Sequence, residues 1–269
     1  MNRVDAAFRR LGREGRKAFM PFIAAGDPNL DVTAAVLRTL QDRGVADLVE
    51  LGVPFSDPIA DGPTIQSSYQ RALAAGVTPQ AILDVVGRLR GGGLTLPICL
   101  MVSYSLVYRP GVPAFVAHAA AAGIDGLIVP DLPVDESAPL AEVLAAADMA
   151  HILLVAPTTP PARRQTILAH ATGFIYCVSV TGITGERDAL PSGIEEYVRG
   201  VKQAAKVPVC VGFGISRPEH VAAVARLADG AIVGSALSHR IADHARESPA
   251  KIARAVADLC QELSAPLRS

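Results

Sequence analysis

Short apolar runs alternate with longer segments of helical periodicity along most of the chain. The apolar runs are continuous, as in Ile-Leu-Leu-Val at 152–155, and continuous runs are typical of parallel strands buried on both faces. The longer segments place apolar residues three and four positions apart, as in 31–43, and a glycine that favours helix termination follows at Gly44. The pattern therefore predicts repeated strand–helix units.

Eight such units are predicted, with one extra helix before the first strand and two helices between strands two and three. The predicted strands are 18–24, 47–52, 96–102, 125–130, 151–156, 173–180, 207–212 and 230–234. The predicted helices are 5–11, 31–43, 64–75, 79–90, 113–122, 137–147, 161–170, 194–205, 218–227 and 249–263. Eight strand–helix units in about 250 residues are typical of a closed (β/α)8 barrel, the TIM barrel.

A doubly wound open sheet is the alternative fold. It is disfavoured because no Gly-x-Gly-x-x-Gly opens a helix after the first strand. No linker or shift in composition divides the chain, so we expect a single TIM-barrel domain over 1–269.

Composition excludes several classes of function. The chain has 269 residues, 50% of them hydrophobic, and a net charge of -1, which provides no electrostatic surface for nucleic acid or an anionic membrane. No apolar run approaches the roughly 18 residues that span a bilayer, and 1–17 lacks the apolar core of a signal peptide. The four cysteines show no metal-binding spacing, so reduced thiols are expected. We expect a cytoplasmic protein that binds neither nucleic acid nor membrane.

A carboxylate interrupts the second predicted strand. Glu50 is costly to desolvate there, so a partner or a chemical task is expected for it. Asp61 follows in a proline-rich loop after the same strand. Barrel active sites lie at the carboxyl ends of the strands, so we predict that the two acids meet there. The alternative, that the acids of this loop only form turns and helix caps, stays open, for Asp57 above all.

Glycines at the ends of strands seven and eight indicate an anion site. Gly212-Phe213-Gly214 and Gly234-Ser235 fall where barrels usually bind phosphate, and glycine allows backbone amides to approach an anion closely. Tight strand–helix turns are the alternative interpretation.

Other chemistries are disfavoured. No lysine lies at a predicted strand end, which argues against a Schiff base, and the histidines lie mostly in helices or at strand starts, which argues against a metal centre. Carboxylate acid–base chemistry on a phosphorylated small molecule remains. Phe22, Met101 and Phe213 are candidates for an apolar wall of the site, although each one taken alone is more often simple barrel core.

Four motifs stand out along the chain: Pro-Phe-Ile-Ala-Ala-Gly-Asp-Pro at 21–28, Glu-Leu-Gly-Val-Pro-Phe-Ser-Asp-Pro-Ile-Ala-Asp-Gly-Pro-Thr-Ile-Gln at 50–66, Ser-Val-Thr-Gly-Ile-Thr-Gly at 179–185 and Gly-Phe-Gly-Ile-Ser at 212–216. Together they resemble the tryptophan synthase alpha chain family. The resemblance extends over about 18–240. It implies retro-aldol cleavage of indole-3-glycerol phosphate to indole and glyceraldehyde 3-phosphate. Glu50 would then be the general acid and base, and Asp61 would accept the indole N–H.

The same resemblance implies further roles. Tyr176 would lie beside Glu50, and Thr184 would help to close the site over Asp61. The phosphate would be held by Gly185, Gly214, Gly234 and Ser235. The chain itself would carry neither cofactor nor metal. It would form an αββα complex with a beta chain that carries pyridoxal phosphate (PLP).

Asp57 and Pro58 would belong to the contact with the beta chain. The chain departs from many family members at Ser105, where they carry Asn, and from some at Val180, where they carry Arg. Three alternatives stay open: a free-standing indole-releasing lyase, a barrel enzyme for another phosphorylated polyol, and a non-catalytic activating subunit.

Overall fold

Eight parallel strands form the centre of the computed structural model, which describes residues 1–58, 61–178, 193–212 and 214–267. The strands are β1 (Ala18–Ala24), β2 (Val49–Gly52), β3 (Ile98–Met101), β4 (Gly126–Ile128), β5 (Ala150–Val155), β6 (Ile175–Val178), β7 (Val209–Gly212) and β8 (Gly230–Val233). They pair in chain order, and β8 also pairs with β1, so the sheet closes into a barrel. The predicted (β/α)8 barrel is confirmed.

The described residues include twelve α-helices. They are α1 (Arg3–Arg13), α2 (Leu30–Asp42), α3 (Pro63–Ala74), α4 (Pro79–Gly91), α5 (Tyr104–Tyr108), α6 (Val112–Ala122), α7 (Ala138–Ala146), α8 (Pro161–His170), α9 (Ile194–Ala204), α10 (Pro218–Leu227), α11 (Ser235–Asp243) and α12 (Pro249–Ser264). The extra helix α1 and the pair α3 and α4 are as predicted. The short helices α5 and α11 were not predicted. None of the described helices has the length and apolar character that a membrane span requires.

Two apolar layers hold the barrel together. The outer layer lies between strands and helices, and the inner layer fills the barrel. Helix α1 closes the amino-terminal end of the barrel, because Phe8 packs on Phe174 with ring centroids 5.8 Å apart. All four cysteines are buried and unpaired. The open end of the barrel is therefore the carboxyl-terminal one, where the acids were predicted to lie.

Polar side chains tie strand starts together at the amino-terminal end. Each precedes an even-numbered strand and accepts the N–H of a residue on the preceding strand, at 2.7 to 3.0 Å. The acceptor–donor pairs are Asp47 with Phe19, Asp125 with Ile98, Thr172 with His151 and Asp229 with Val209. This end of the barrel is built for stability, as is usual in the fold.

Buried His151 is expected to weaken the fold in acid. Its ring is 3% exposed, Nδ1 has no hydrogen-bond partner among the described residues, and burial, helped by His170, lowers its pKa to about 4. The unfolded chain, with a histidine pKa near 6.5, binds the proton first, so stability is lost as the pH falls from about 6.5 to 4, by roughly 3 kcal/mol. Urea unfolding of His151→Gln between pH 4 and 7 should show a flatter acid limb. His118→Gln, at an exposed position, should unfold like the wild type, and equal slopes for all three would contradict the prediction.

Candidate active site

Glu50 lies inside the barrel, in the middle of β2. Its neighbours in register are Phe22 on β1 and Cys99 on β3. The residue is 1% exposed, and neither carboxyl oxygen has a hydrogen-bond partner among the described residues. Burial without a partner penalises the charged form and raises the pKa of Glu50 well above the usual value of a glutamate. Glu50 is therefore suited to hold and exchange a proton near neutral pH.

Asp61 lies just before α3 and faces the same end of the barrel. It is half-buried, and burial raises its pKa to about 6. At pH 7 this carboxyl is mostly ionised, whereas deeper burial shifts the pKa of Glu50 well above the usual glutamate value. Two carboxyls in environments of different polarity divide the work into one acid and one anion.

Two buried tyrosines lie close to both acids. Tyr176 on β6 is 4% exposed and Tyr69 on α3 is 3% exposed. Burial raises the pKa of each phenol, and the negative charges of Asp61 and Glu50 raise it further. Glu50 is the larger electrostatic influence on Tyr176, and Asp61 is the larger one on Tyr69. Both phenols therefore stay neutral at physiological pH and remain hydrogen-bond donors.

Each phenol occupies space that a glycine leaves at the end of a strand. A Cβ added at Gly52 would lie 2.6 Å from the hydroxyl oxygen of Tyr69 and 2.5 Å from Cζ of Phe22. A Cβ added at Gly212 would collide with the hydroxyl oxygen of Tyr176 and lie 2.7 Å from two of its ring carbons. These two glycines let aromatic rings reach the barrel axis above Glu50.

Gly212→Ala is expected to lower activity by about ten- to a hundredfold, because the new methyl group must displace the Tyr176 ring. A displacement of about 1 Å near a reacting group typically lowers the rate by up to about a hundredfold. Steady-state assays of the reaction that the motif resemblance implies check this prediction. Gly200→Ala is the matched control, because a Cβ there meets no atom within 4 Å and alanine favours its helix. Wild-type rates for both variants would show that Tyr176 tolerates the displacement.

Two adjoining cavities open at this end of the barrel and share Asp61 and Met101. The smaller, of about 40 Å³, is lined by Phe22, Asp61, Ile65, Met101, Tyr176, Gly214, Ile215, Ile232, Gly234 and Ser235. The larger, of about 110 Å³, is lined by Val53, Phe55, Asp57, Pro58, Asp61, Tyr69, Met101, Val102, Ser103, Pro130 and Asp131. A flat apolar group fits such walls, with the carboxylate of Asp61 at its edge.

The far side of the smaller cavity is suited to an anion. Gly214 follows β7 with φ +75°, a conformation that favours glycine, and Gly234 immediately precedes α11. Ser235 is the first residue of that nine-residue helix, so the positive end of its dipole faces the cavity. The glycine signal in the sequence indicated this position, but the helix that completes it was not predicted.

Most of the predicted site residues come together. Seven of them line the smaller cavity: Phe22, Asp61, Met101, Tyr176, Gly214, Gly234 and Ser235. Asp57 and Pro58 line the larger one, and Glu50 lies within the barrel below. Thr184, Gly185, Phe213 and the departure at Val180 lie outside the described residues. No cluster of His, Cys, Asp or Glu suited to a metal occurs in the described part of the chain.

The larger cavity is lined both by Pro130 and Asp131, which the sequence places at the end of strand four, and by residues that were missed in the sequence. Asp131 accepts hydrogen bonds from the Ser103 hydroxyl at 2.6 Å and the Tyr104 N–H at 2.8 Å, and so holds the start of α5 beside the larger cavity. Tyr69 was missed because its spacing, one helical turn after Ile65 on the first helix beyond the acidic loop, indicates only a buried position. The other missed residues are Val53, Phe55, Ile65, Val102, Ile215 and Ile232.

Known proteins of the same architecture match most of this chain. The sequence profile described as "Tryptophan synthase alpha chain" matches residues 8–267. The tryptophan synthase alpha chain of Chloroflexus aggregans is 48% identical over 90% of this chain and 90% of its own, and that of a Synechococcus strain is 48% identical over 97% and 95%. The crystal structure of the alpha subunit from Legionella pneumophila superposes with a TM-score of 0.90 at 35% identity, over 99% of this chain and 98% of its own.

A chain of the tryptophan synthase complex from Pyrococcus furiosus superposes with a TM-score of 0.84 at 36% identity, over 92% of this chain and 98% of its own. Fold, site and relatives together define a TIM-barrel carbon–carbon lyase. The chain belongs to the tryptophan synthase alpha chain family, whose members cleave indole-3-glycerol phosphate in tryptophan biosynthesis. The resemblance of the four motifs is confirmed.

Proposed function

We propose that this chain cleaves indole-3-glycerol phosphate to indole and glyceraldehyde 3-phosphate, with Glu50 and Asp61 as its acid–base pair. One observation carries the proposal: a buried carboxyl with no hydrogen-bond partner among the described residues lies within the barrel, below an apolar cavity that a second carboxyl lines and that ends at a helix start. The indole ring would lie between Phe22 and Met101. The phosphate would be held by Gly214, Gly234, Ser235 and, from the resemblance alone, Gly185.

Glu50 serves first as acid and then as base. Its carboxyl donates a proton to C3 of the indole ring, which places positive charge on the ring and its nitrogen. The resulting carboxylate takes the proton of the glycerol hydroxyl next to the ring. The C–C bond then breaks, its electron pair returns to the ring to form indole, and the hydroxyl carbon becomes the aldehyde of glyceraldehyde 3-phosphate. A single carboxyl with a raised pKa suits both transfers.

Asp61 stabilises the charge that develops in between. Its carboxylate accepts the indole N–H, which becomes more acidic as the ring is protonated, so the interaction is stronger in the transition state than in the ground state. Tyr176 lies beside Glu50 and lines the same cavity, so we assign it to positioning Glu50 and the glycerol hydroxyl. Thr184 would help to close the site over Asp61, as the resemblance implies.

We further propose that the chain works with a PLP-bearing beta chain in an αββα tetramer. Support comes from the P. furiosus relative, whose structure is that of a tryptophan synthase complex. Asp57 and Pro58 line the larger cavity, and the Ser56 hydroxyl donates to the Asp57 carboxylate at 2.6 Å. This segment would therefore connect the contact with the beta chain to the site. Unpaired cysteines agree with a cytoplasmic setting.

Indole release from indole-3-glycerol phosphate by the purified chain, with and without a beta chain, tests the function. Slow cleavage that rises on adding the beta chain is the expected result. Full activity alone, with no response to the beta chain, would favour a free-standing lyase and overturn the subunit assignment. No indole under either condition, from chain that is folded by circular dichroism, would overturn the proposed reaction and leave a substrate screen with other phosphorylated polyols as the next step.

A further inference from the structure

Tyr69 lines the site, but neither the sequence motifs nor the proposed mechanism assigns it a role. It projects from the buried face of α3, is 3% exposed, and lines the larger cavity together with Asp61. Its hydroxyl lies in the space beside Gly52. Gly52 is two residues beyond Glu50 and therefore on the same face of β2. The phenol therefore stands at the carboxyl end of the strand that carries the general acid, next to the loop that carries the second acid.

Helix α3 places this phenol rigidly relative to Asp61. The Gln66 side chain donates to the backbone carbonyl of Asp61 at 2.7 Å, and Tyr69 follows three residues later on the same helix. Arg71 forms a two-bond ion pair with Asp27, which is fully buried at the end of β1, with both bonds at 2.7 Å. Both ends of the segment 61–71 are thus attached, so the distance between Asp61 and the phenol is set by the helix.

A carboxylate partly removed from water needs a hydrogen-bond donor to stay ionised. The ionisable side chains that line the two cavities with Asp61 are mostly acids or neutral phenols, namely Asp57, Asp131 and Tyr176, and Glu50 lies nearby in the barrel. His239 is hydrogen-bonded to Thr64 at the start of α3. Acids oppose the charge of Asp61. A phenol supports it, because the neutral O–H donates without giving up its proton.

We propose that Tyr69 is a positioning residue for Asp61, its neutral phenol presenting the O–H dipole to the Asp61 carboxylate across the cavity they share and keeping that group ionised and aimed at the substrate. The inference rests on the proposed function of Asp61. Tyr176 would accompany Glu50, so that each acid has its own phenol nearby. The greater influence of Asp61 on the pKa of Tyr69, and of Glu50 on that of Tyr176, agrees with this division.

Tyr69→Phe removes the hydroxyl and keeps the ring, so packing is retained. In the complex with the beta chain, we expect the KM for indole-3-glycerol phosphate to rise or kcat to fall by about tenfold, and the acid limb of kcat/KM to move up by about one pH unit. The midpoint of thermal unfolding should stay that of the wild type. Tyr108→Phe, on an exposed tyrosine of α5, is the matched control and should leave all three quantities unchanged.

The Asp61→Asn background shows whether the hydroxyl acts through Asp61. There Tyr69→Phe should have no further effect on kcat/KM, and a full tenfold effect in that background would overturn the proposal. Carbon-13 NMR titration of the Asp61 carboxyl tests the same contact without turnover. A higher pKa in Tyr69→Phe than in the wild type supports the assignment, and an unchanged pKa overturns it, even if the wild type proves to release no indole.

Discussion

Glu50→Gln is expected to lower indole release by about a thousandfold while the chain folds normally. Glutamine has nearly the shape of the protonated glutamic acid, so the barrel interior needs no repacking. It cannot give a proton to the ring or take one from the glycerol hydroxyl, so both transfers of the proposed mechanism stop. Steady-state cleavage with saturating beta chain measures the loss, and Glu136→Gln, at an exposed position, should behave like the wild type.

The same substitution is expected to stabilise the fold as the pH rises. The pKa of Glu50 is higher in the folded chain than in the unfolded one, so the unfolded chain loses its proton first. The wild type therefore loses stability as the pH rises from about 4.3, the ordinary glutamate pKa, to the pKa of Glu50 in the folded chain. The Glu50→Gln variant has no proton to lose at this position and keeps its stability over the same range. Urea unfolding at pH 4 and pH 8 should show a stability difference between variant and wild type that grows with pH. A stability difference that does not change with pH would show that Glu50 does not have a raised pKa. Cleavage by Glu50→Gln above a tenth of the wild-type rate would show that Glu50 is not the general acid.

The barrel was predictable because its strands are buried on both faces. Runs such as Ile-Leu-Leu-Val at 152–155 read as parallel strands without any knowledge of their partners. Helices α5 and α11 were not predictable in this manner. The first has five residues and depends on Asp131, three residues beyond β4, which accepts the Tyr104 N–H, so its position is decided by tertiary contact. The second combines apolar and polar residues over nine positions directly after a strand-end glycine.

The acids of the site stood out in the sequence, whereas their supports did not. Glu50 was conspicuous because a carboxylate in a buried strand has a high desolvation cost. Tyr69 has the spacing of an ordinary core residue, and nothing local shows that Gly52 leaves room for its hydroxyl. That relation joins α3 to β2 and β1 and exists only once the barrel closes. The roles of Thr184, Gly185 and Phe213 still rest on the sequence, since they lie outside the described residues.

Asp125→Ala is expected to destabilise the chain by about 3–5 kcal/mol, the range typical of breaking a buried charge cluster from one side. The Asp125 side chain is 3% exposed and accepts three bonds: from Arg3 at 2.8 Å, from Arg90 at 2.8 Å and from the backbone N–H of Ile98 at 2.9 Å. The guanidinium of Arg90 is itself only 10% exposed, so removing its carboxylate leaves a buried cation without a counter-charge and a strand N–H without its acceptor.

Asp135→Ala is the matched control. Asp135 forms an ion pair with Arg163 in which both side chains are at least half exposed, so its removal should change the free energy of unfolding by less than about 1 kcal/mol. Urea unfolding at pH 7 measures both variants. Because Asp125 lies at the end of the barrel opposite to the cavities, the folded fraction of Asp125→Ala should keep the wild-type KM. A loss below 1 kcal/mol would mean that the strand starts are held by packing alone, and a changed KM would mean that the two ends of the barrel are coupled.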